Sequence, residues 1–262
     1  MVDAVVLAGA PNTGRLREVS PAPYEALIEI AGRPMVTYVL DALQGSGQVG
    51  RLVVVGPQEL DPVVALYRRA ERIAPGPDVM ANVRAGIEHL GSMNRTDPIL
   101  VSTSDIPLLT PEAVDDFLTR CRQMGELDVY YPVVLRERSE AAYPGVERTY
   151  MRLKDGVVTG GNLFLLRGDV IDRCGTFLEE AVTLRKNPLR MSRLLGPRVI
   201  VKLAVNRLST DDVARRIYDM LGLKGRAVFT PYAEIGVDVD KPSDLELART
   251  ALAAGPVSTG RS

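Results

Sequence analysis

Near the start of the chain one run concentrates the residue types that phosphate chemistry needs: Val5-Val6-Leu7-Ala8-Gly9-Ala10-Pro11-Asn12-Thr13-Gly14-Arg15-Leu16. An apolar, strand-like stretch leads into a loop of small residues and then reaches an arginine. Small residues let backbone N–H groups approach phosphate oxygens, and a guanidinium adds a charged, paired contact. Leu7, Ala8, Gly9, Ala10, Gly14 and Arg15 are the candidate phosphate contacts. The run is not a Walker A loop, because no Gly-Lys-Ser/Thr follows. Its glycine spacing, with no strand-end acid at the expected offset, also separates it from the dinucleotide fingerprint. An ordinary strand-to-helix turn favours glycine too and explains the same composition.

A second concentration is cationic. Arg185, Lys186, Arg190, Arg193, Arg198, Lys202 and Arg207 occur in a stretch that holds no acidic residue. Arg185-Lys186-Asn187-Pro188 precedes a helix-like segment, and helix N-termini attract anions. Leucines and valines at mixed helical spacing would also suit an anionic membrane surface or a lipid phosphate, while a solvated helix face is the plain alternative. The formal net charge of the chain is -1, so any anion site is local and nucleic acid is not an expected partner. Two cysteines, Cys121 and Cys174, and the single histidine, His89, cannot build a common structural zinc site. The cysteines read as a buried reduced pair, and His89 as a surface or capping residue on a helix.

The elements that must position these groups alternate between strand-length apolar runs and helix-period segments, the pattern of a largely parallel sheet covered by helices. Strands are predicted at Ala4–Ala8, Arg51–Val55, Ile99–Thr103, Val129–Val134, Asn162–Leu166, Ala227–Thr230 and Ile235–Val239. Helices are predicted at Pro34–Leu43, Asp61–Ile73, Val79–Leu90, Pro111–Met124, Asp169–Ala181, Thr210–Leu221 and Ser243–Ala253. Pro34 and Pro111 fit first helical turns, and Thr110 fits an N-cap. Met151 to Val158 reads as a hairpin with Asp155-Gly156 in its turn. A single domain over 1–254 is expected, with an elaborated acceptor or lid region at about 137–208 and a flexible tail at 255–262. No secretory leader is apparent and no apolar run reaches membrane-spanning length, so the expected compartment is the cytoplasm.

At Gly32-Arg33-Pro34-Met35, taken with the first loop, the chain resembles the sugar-nucleotide pyrophosphorylases and molybdenum-cofactor guanylyltransferases of the nucleotidyltransferase superfamily. Two later matches follow in the family's order. They are Val101-Ser102-Thr103-Ser104-Asp105-Ile106-Pro107 and Gly236-Val237-Asp238-Val239-Asp240-Lys241-Pro242-Ser243-Asp244. The resemblance implies a three-layer, Rossmann-like α/β fold of the nucleotide-diphospho-sugar transferase type, with a mostly parallel sheet and helices on both faces. It also implies a Mg²⁺ held by Asp105 with Asp238 or Asp240, Asp238 being preferred. Carboxylates at the C-terminal edge of such a sheet suit that ion, which takes oxygen ligands and substrate phosphates. Ser104, Asn82 and Gly86 are implied nucleotide contacts, Asn82 reading equally as an N-cap. Gly161 and Asn162 are implied acceptor contacts, where a tight strand entry would also call for glycine.

The implied reaction transfers a nucleoside monophosphate from a nucleoside triphosphate to a phosphorylated small molecule, with release of pyrophosphate. Arg15, Asp105 and Lys186 are its candidate catalytic residues, and Lys202 is a further candidate acceptor contact. The loop departs from the family pattern in having Gly9-Ala10 where a second glycine is usual. Glu25 also occupies the place of the lysine in the family's Pro-Lys-x-Leu element. A cation from elsewhere, Lys186 or Lys202 by expectation, would then meet the triphosphate. Two alternatives stay open: a non-catalytic or regulatory nucleotide-binding protein on the same fold, and a glycosyltransferase using a nucleotide-sugar donor.

Overall fold

The computed structural model describes residues 1–91, 96–184 and 196–254. Strand β1 (Val2–Leu7) is the axis of the first half. It pairs in parallel with β4 (Val49–Val55) on one edge and β6 (Pro98–Thr103) on the other. Alternate residues of β1 enter different cores. Ala4 and Val6 pack with residues of α1 (Met35–Gly45) and α4 (Pro111–Gln123), whereas Val5 packs with residues of α3 (Val79–His89). A strand buried on both faces is continuously apolar, and the run Ala4-Val5-Val6 has no exposed surface. Helices on both faces of one sheet make three layers.

Helix α3 lies close against β1 at Gly86. A Cβ built there would sit 2.5 Å from Val5 Cγ1 and 2.8 Å from Cγ2. Gly86→Ala is therefore expected to destabilise the chain by about 1–3 kcal/mol, read as a lower midpoint in urea at unchanged slope. Gly86, an expected nucleotide contact, also sets how closely α3 approaches β1.

Strands β2 (Glu29–Ile30) and β3 (Arg33–Pro34) pair as a separate ribbon, and the other described strands, β5 (Ala70–Ile73) among them, form a nine-stranded sheet in the order β5-β4-β1-β6-β10-β7-β9-β8, with β11 on β7. It is parallel from β5 to β6 and mixed beyond. Strand β10 (Leu163–Arg167) runs antiparallel between β6 and β7 (Val129–Leu135). Strand β9 (Gly156–Gly160) pairs with the far end of β7, and β8 (Met151–Leu153) completes that edge. Strand β11 (Gly225–Phe229) runs parallel to β7 on its other side. The segment 137–208 thus contributes β10 to the middle of the sheet. Leu153 pairs with Gly156, so the hairpin turns through Lys154-Asp155 and Gly156, at φ 134°, is already in the strand.

Several expected boundaries change. The helix expected over Asp61–Ile73 ends early: α2 spans Asp61–Val64, and Ala70–Ile73 forms edge strand β5 beside β4. Strand β4 otherwise leaves a row of backbone groups unpaired, and this demand overrides the helical spacing. The strand expected at Ile235–Val239 is a 3-10 turn, Ala233–Gly236, followed by chain without a ladder. Pro34 precedes α1, whereas Pro111 opens α4 with Thr110 capping Ala113 N–H at 3.2 Å. Helix α6 spans Val170–Leu184 with a break at Cys174 (φ -140°). Cys121 and Cys174 are buried and not disulfide-bonded, and His89 meets Glu71 at the surface at 2.8 Å. Among the described residues no helix is long and apolar enough to cross a membrane.

Candidate active site

The loop after β1 is held in place by main-chain bonds on both sides. Ala8 N–H donates to Val55 O at 2.9 Å as the strand ends. Asn12 N–H then donates to Pro23 O at 2.9 Å, and Glu25 N–H to Ala10 O at 3.0 Å. Buried Asn12 donates its amide to Ser20 O (3.0 Å) and Ala22 O (2.9 Å), bracing the loop against the segment that follows. Ala10, Gly14 and Arg15 stay exposed. Glu25 is therefore a neighbour of the loop and not a remote residue.

Asn82 faces the same loop from α3. A Cβ at Gly9 would lie 3.1 Å from Pro75 Cβ and 3.7 Å from Asn82 Nδ2. The helix cap is Asp78, which accepts from Ala81 N–H at 2.8 Å, so Asn82 is not the N-cap. Its Oδ1 instead accepts from Gly76 N–H at 2.6 Å, fixing the amide beside Gly9.

Asp105 follows β6 at the end of the sheet where β1 also ends. Ser104 is buried, and its N–H donates to Leu7 O at 3.1 Å. Thr103 Oγ1 donates to Asp105 Oδ1. The main-chain carbonyl of Asp105 accepts from Val239 N–H at 2.8 Å, which joins the strand end to the late turn. Here lies the reason that 235–239 forms no ladder: its polar groups close the site, since Asn162 N–H also donates to Ile235 O at 2.9 Å. Asp105, Asp238 and Asp240 each offer a carboxylate oxygen, all within 4.8 Å of one another. Three oxygen donors this close are of the type that a hard divalent cation takes.

The acceptor candidates lie on the neighbouring side. Gly161 N–H donates to Pro132 O at 3.0 Å, and a Cβ at Gly161 would meet Ile235 Cγ2 at 2.6 Å. Asn162 is buried, and Thr103 N–H donates to its carbonyl at 3.1 Å. Gly161 and Asn162, with Tyr131, Arg148, Thr159 and Asp238, line a cavity of about 150 Å³. A wider hollow of about 790 Å³, near Asp155, Thr210 and Phe229, contains none of the expected site residues. Of the two, the smaller cavity is the one that holds expected site residues.

Arg148 was not legible in the sequence. It lies in the chain between α5 (Arg136–Ala142) and β8, where no periodicity marks a function, and its side chain is 8% exposed. Its Nη1 stands 3.3 Å from Asp238 Oδ1 and 3.9 Å from Asp244 Oδ1. Its Nη2 donates to Asp238 O at 2.8 Å, and its Nε is buried without a hydrogen-bond partner. Next to it, Glu147 meets Lys241, the residue after Asp240. The Lys241 ammonium, with Arg15 adding a smaller effect, holds the Glu147 carboxyl below the usual carboxylate range. Deeper in the late turn, burial pushes the Glu234 carboxyl up against the opposing bond from Thr110 Oγ1 at 3.0 Å.

Lys202, one of the two expected cations, is engaged elsewhere. Lys202, on helix α7 (Pro197–Ala204), donates to Asp212 Oδ1 at 2.6 Å. Asp212 belongs to the capping box of α8 (Thr210–Leu221), so the pair ties two helices and does not line the acceptor cavity. Lys186, with Arg185, Arg190 and Arg193, lies outside the described residues.

Comparisons with known proteins agree with this geometry. A solved structure described as a hypothetical transferase from Thermus thermophilus is 38% identical, with a TM-score of 0.78 over 93% of this chain and 99% of that one. A CMP:2-keto-3-deoxy-manno-octonic acid synthetase complexed with CTP shares the fold at 16% identity and a TM-score of 0.62, covering 98% of this chain and 100% of that chain. The bifunctional protein GlmU of Rhodospirillum rubrum is 32% identical over 119 residues, which is 42% of this chain and 24% of the relative. That of Sorangium cellulosum is 34% identical over 134 residues, 48% of this chain and 26% of the relative. The matched region is thus about a quarter of these curated relatives. The family model of the MobA-like NTP transferase domain matches residues 4–220, and the chain belongs to that family of the nucleotidyltransferase superfamily.

Proposed function

We propose that the chain is a Mg²⁺-dependent nucleotidyltransferase acting on a phosphorylated small molecule. The reading rests on one observation above all: the loop after β1, the acidic group Asp105/Asp238/Asp240 and the Asn162 cavity share one end of the sheet. In the reaction, a phosphate oxygen of the acceptor attacks the α-phosphorus of a nucleoside triphosphate. The bond from the α-phosphorus to the bridging oxygen breaks, and pyrophosphate leaves with that electron pair. Loop N–H groups and Arg15 hold the phosphates, Asn82 lies toward the nucleoside, and Gly161 and Asn162 border the acceptor. Asp105, Asp238 and Asp240 would hold Mg²⁺, which supplies charge neutralisation and alignment of the triphosphate when bound. The protein contributes placement, the main catalytic resource in phosphoryl-group chemistry. A coupled assay for pyrophosphate, run with each of the four NTPs over a panel of sugar and alcohol phosphates, tests this reading. No release from any pairing would refute it.

Glu25 favours a second reading, nucleotide binding without turnover. Its backbone N–H is bonded to Ala10 O, so a glutamate stands beside the loop where the family pattern has a lysine. Glu25→Lys separates the two. If Glu25 depresses catalysis, the variant is expected to raise pyrophosphate release by about tenfold, the scale of one charge-assisted contact. Unchanged release would mean that the carboxylate points away from the phosphates.

A further inference from the structure

Position 25 holds a glutamate, and another lysine lies directly beside the acidic group. Lys241 follows Asp240 directly and starts the last helix, α9 (Pro242–Ala254). Its carbonyl accepts from Asp244 N–H at 3.0 Å and from Leu245 N–H at 3.2 Å, so its backbone is pinned beside the acidic group. The two ends of its ion pair are unequal: the Lys241 side chain is 15% exposed and that of Glu147 is 84% exposed. Glu147 also lines the Asn162 cavity together with Asp238 and Asp240. A solvent-facing carboxylate thus sits against Lys241 at the edge of the proposed site, a position that a phosphate of similar charge could take. The Glu147 end of the pair is solvated and loses little on release, so a multiply charged anion can exchange for it at Lys241. The other nearby cation is committed, since Arg148 already meets both the carboxylate and the carbonyl of Asp238.

Building on the transferase reading, we propose that Lys241 is the phosphate-binding cation that stands in for the family lysine. Glu147 holds its ammonium until the outer phosphates of the nucleotide, or product pyrophosphate, displace the carboxylate. Lys241 binds the leaving group, and Glu147 is a built-in competitor for the same place.

The test uses the full chain and inorganic pyrophosphate in magnesium buffer, titrated by calorimetry. Lys241→Met is expected to weaken binding roughly tenfold or more, and Lys241→Arg to keep most of it. Glu147→Gln, a surface change that leaves the fold intact, is expected to tighten binding about threefold, because a competitor is gone. Lys241→Met binding as the wild type does would overturn the proposal. So would Glu147→Gln weakening binding, since the pair would then be a brace for Lys241. Failure of the broader reading looks different: pyrophosphate binds and Lys241→Met loses it, yet no NTP and acceptor pair turns over. A wild-type chain that binds no pyrophosphate overturns the role of Lys241, while the release assay decides the transferase reading by itself.

Discussion

Replacing Asp105 by asparagine is expected to lower nucleotidyl transfer roughly a hundredfold or more at saturating substrate and magnesium, without lowering the thermal midpoint. The fold should survive because the contacts that position residue 105 do not need the charge. Thr103 Oγ1 can donate to the amide oxygen as it does to the carboxylate, and the bond from Val239 N–H to the main-chain carbonyl is unaffected. The midpoint should hold or rise, since three carboxylates offer oxygens within 4.8 Å of one another and one negative charge is removed. Turnover falls because an amide is a poorer ligand for a hard cation. Pyrophosphate release and a melting curve, measured side by side, decide the matter. Full turnover in Asp105→Asn would remove Asp105 from the cation site, and an unfolded variant would make its role structural.

Arg148→Ala should have the largest effect on stability, a loss of about 3–5 kcal/mol, because it leaves buried carboxylates without their cation. Arg148, Asp238 and Asp244 have side-chain exposures of 8%, 11% and 4%, so water screens the group poorly. Asp244 cannot turn away freely, as its Oδ2 accepts from Asp240 N–H at 3.1 Å. Added Mg²⁺ should restore part of the loss and raise the midpoint more in the variant than in the wild type, by mass action on a site that has lost its internal cation. Urea unfolding with and without Mg²⁺ measures both. A loss below about 1 kcal/mol would place this pair among ordinary surface ion pairs.

The parts of the site read most directly from sequence are those whose chemistry is local. The loop 8–15 and Asp105 follow strands whose apolar runs mark their ends, and Asp238 and Asp240 share one short turn. Asn82 was seen as a site residue but with two roles open; Asp78, four residues earlier, takes the cap and frees it for the loop. Gly86 shows the converse, since a glycine beside a site motif serves the approach of a helix to Val5. Composition drew attention to Lys186 and Lys202 as cations, yet Lys202 is engaged by Asp212, a partner that no charge count could reveal.

Alternating apolar runs and helical segments were enough to establish an α/β layered sheet and to order its anion loop and acidic residues along it. Spacing carries that information because burial repeats every second residue on a strand and every three to four on a helix. Tertiary structure alone decided the closure of the acidic group and the identity of its cations. Val239 reaches Asp105, Arg148 reaches Asp238, and Lys241 reaches Glu147 across long intervals of chain, through loops without any period. Such pairings follow from where the sheet's ends bring the loops and from the cost of leaving a buried charge or polar group unmatched. Neither is written in the neighbours of any one residue.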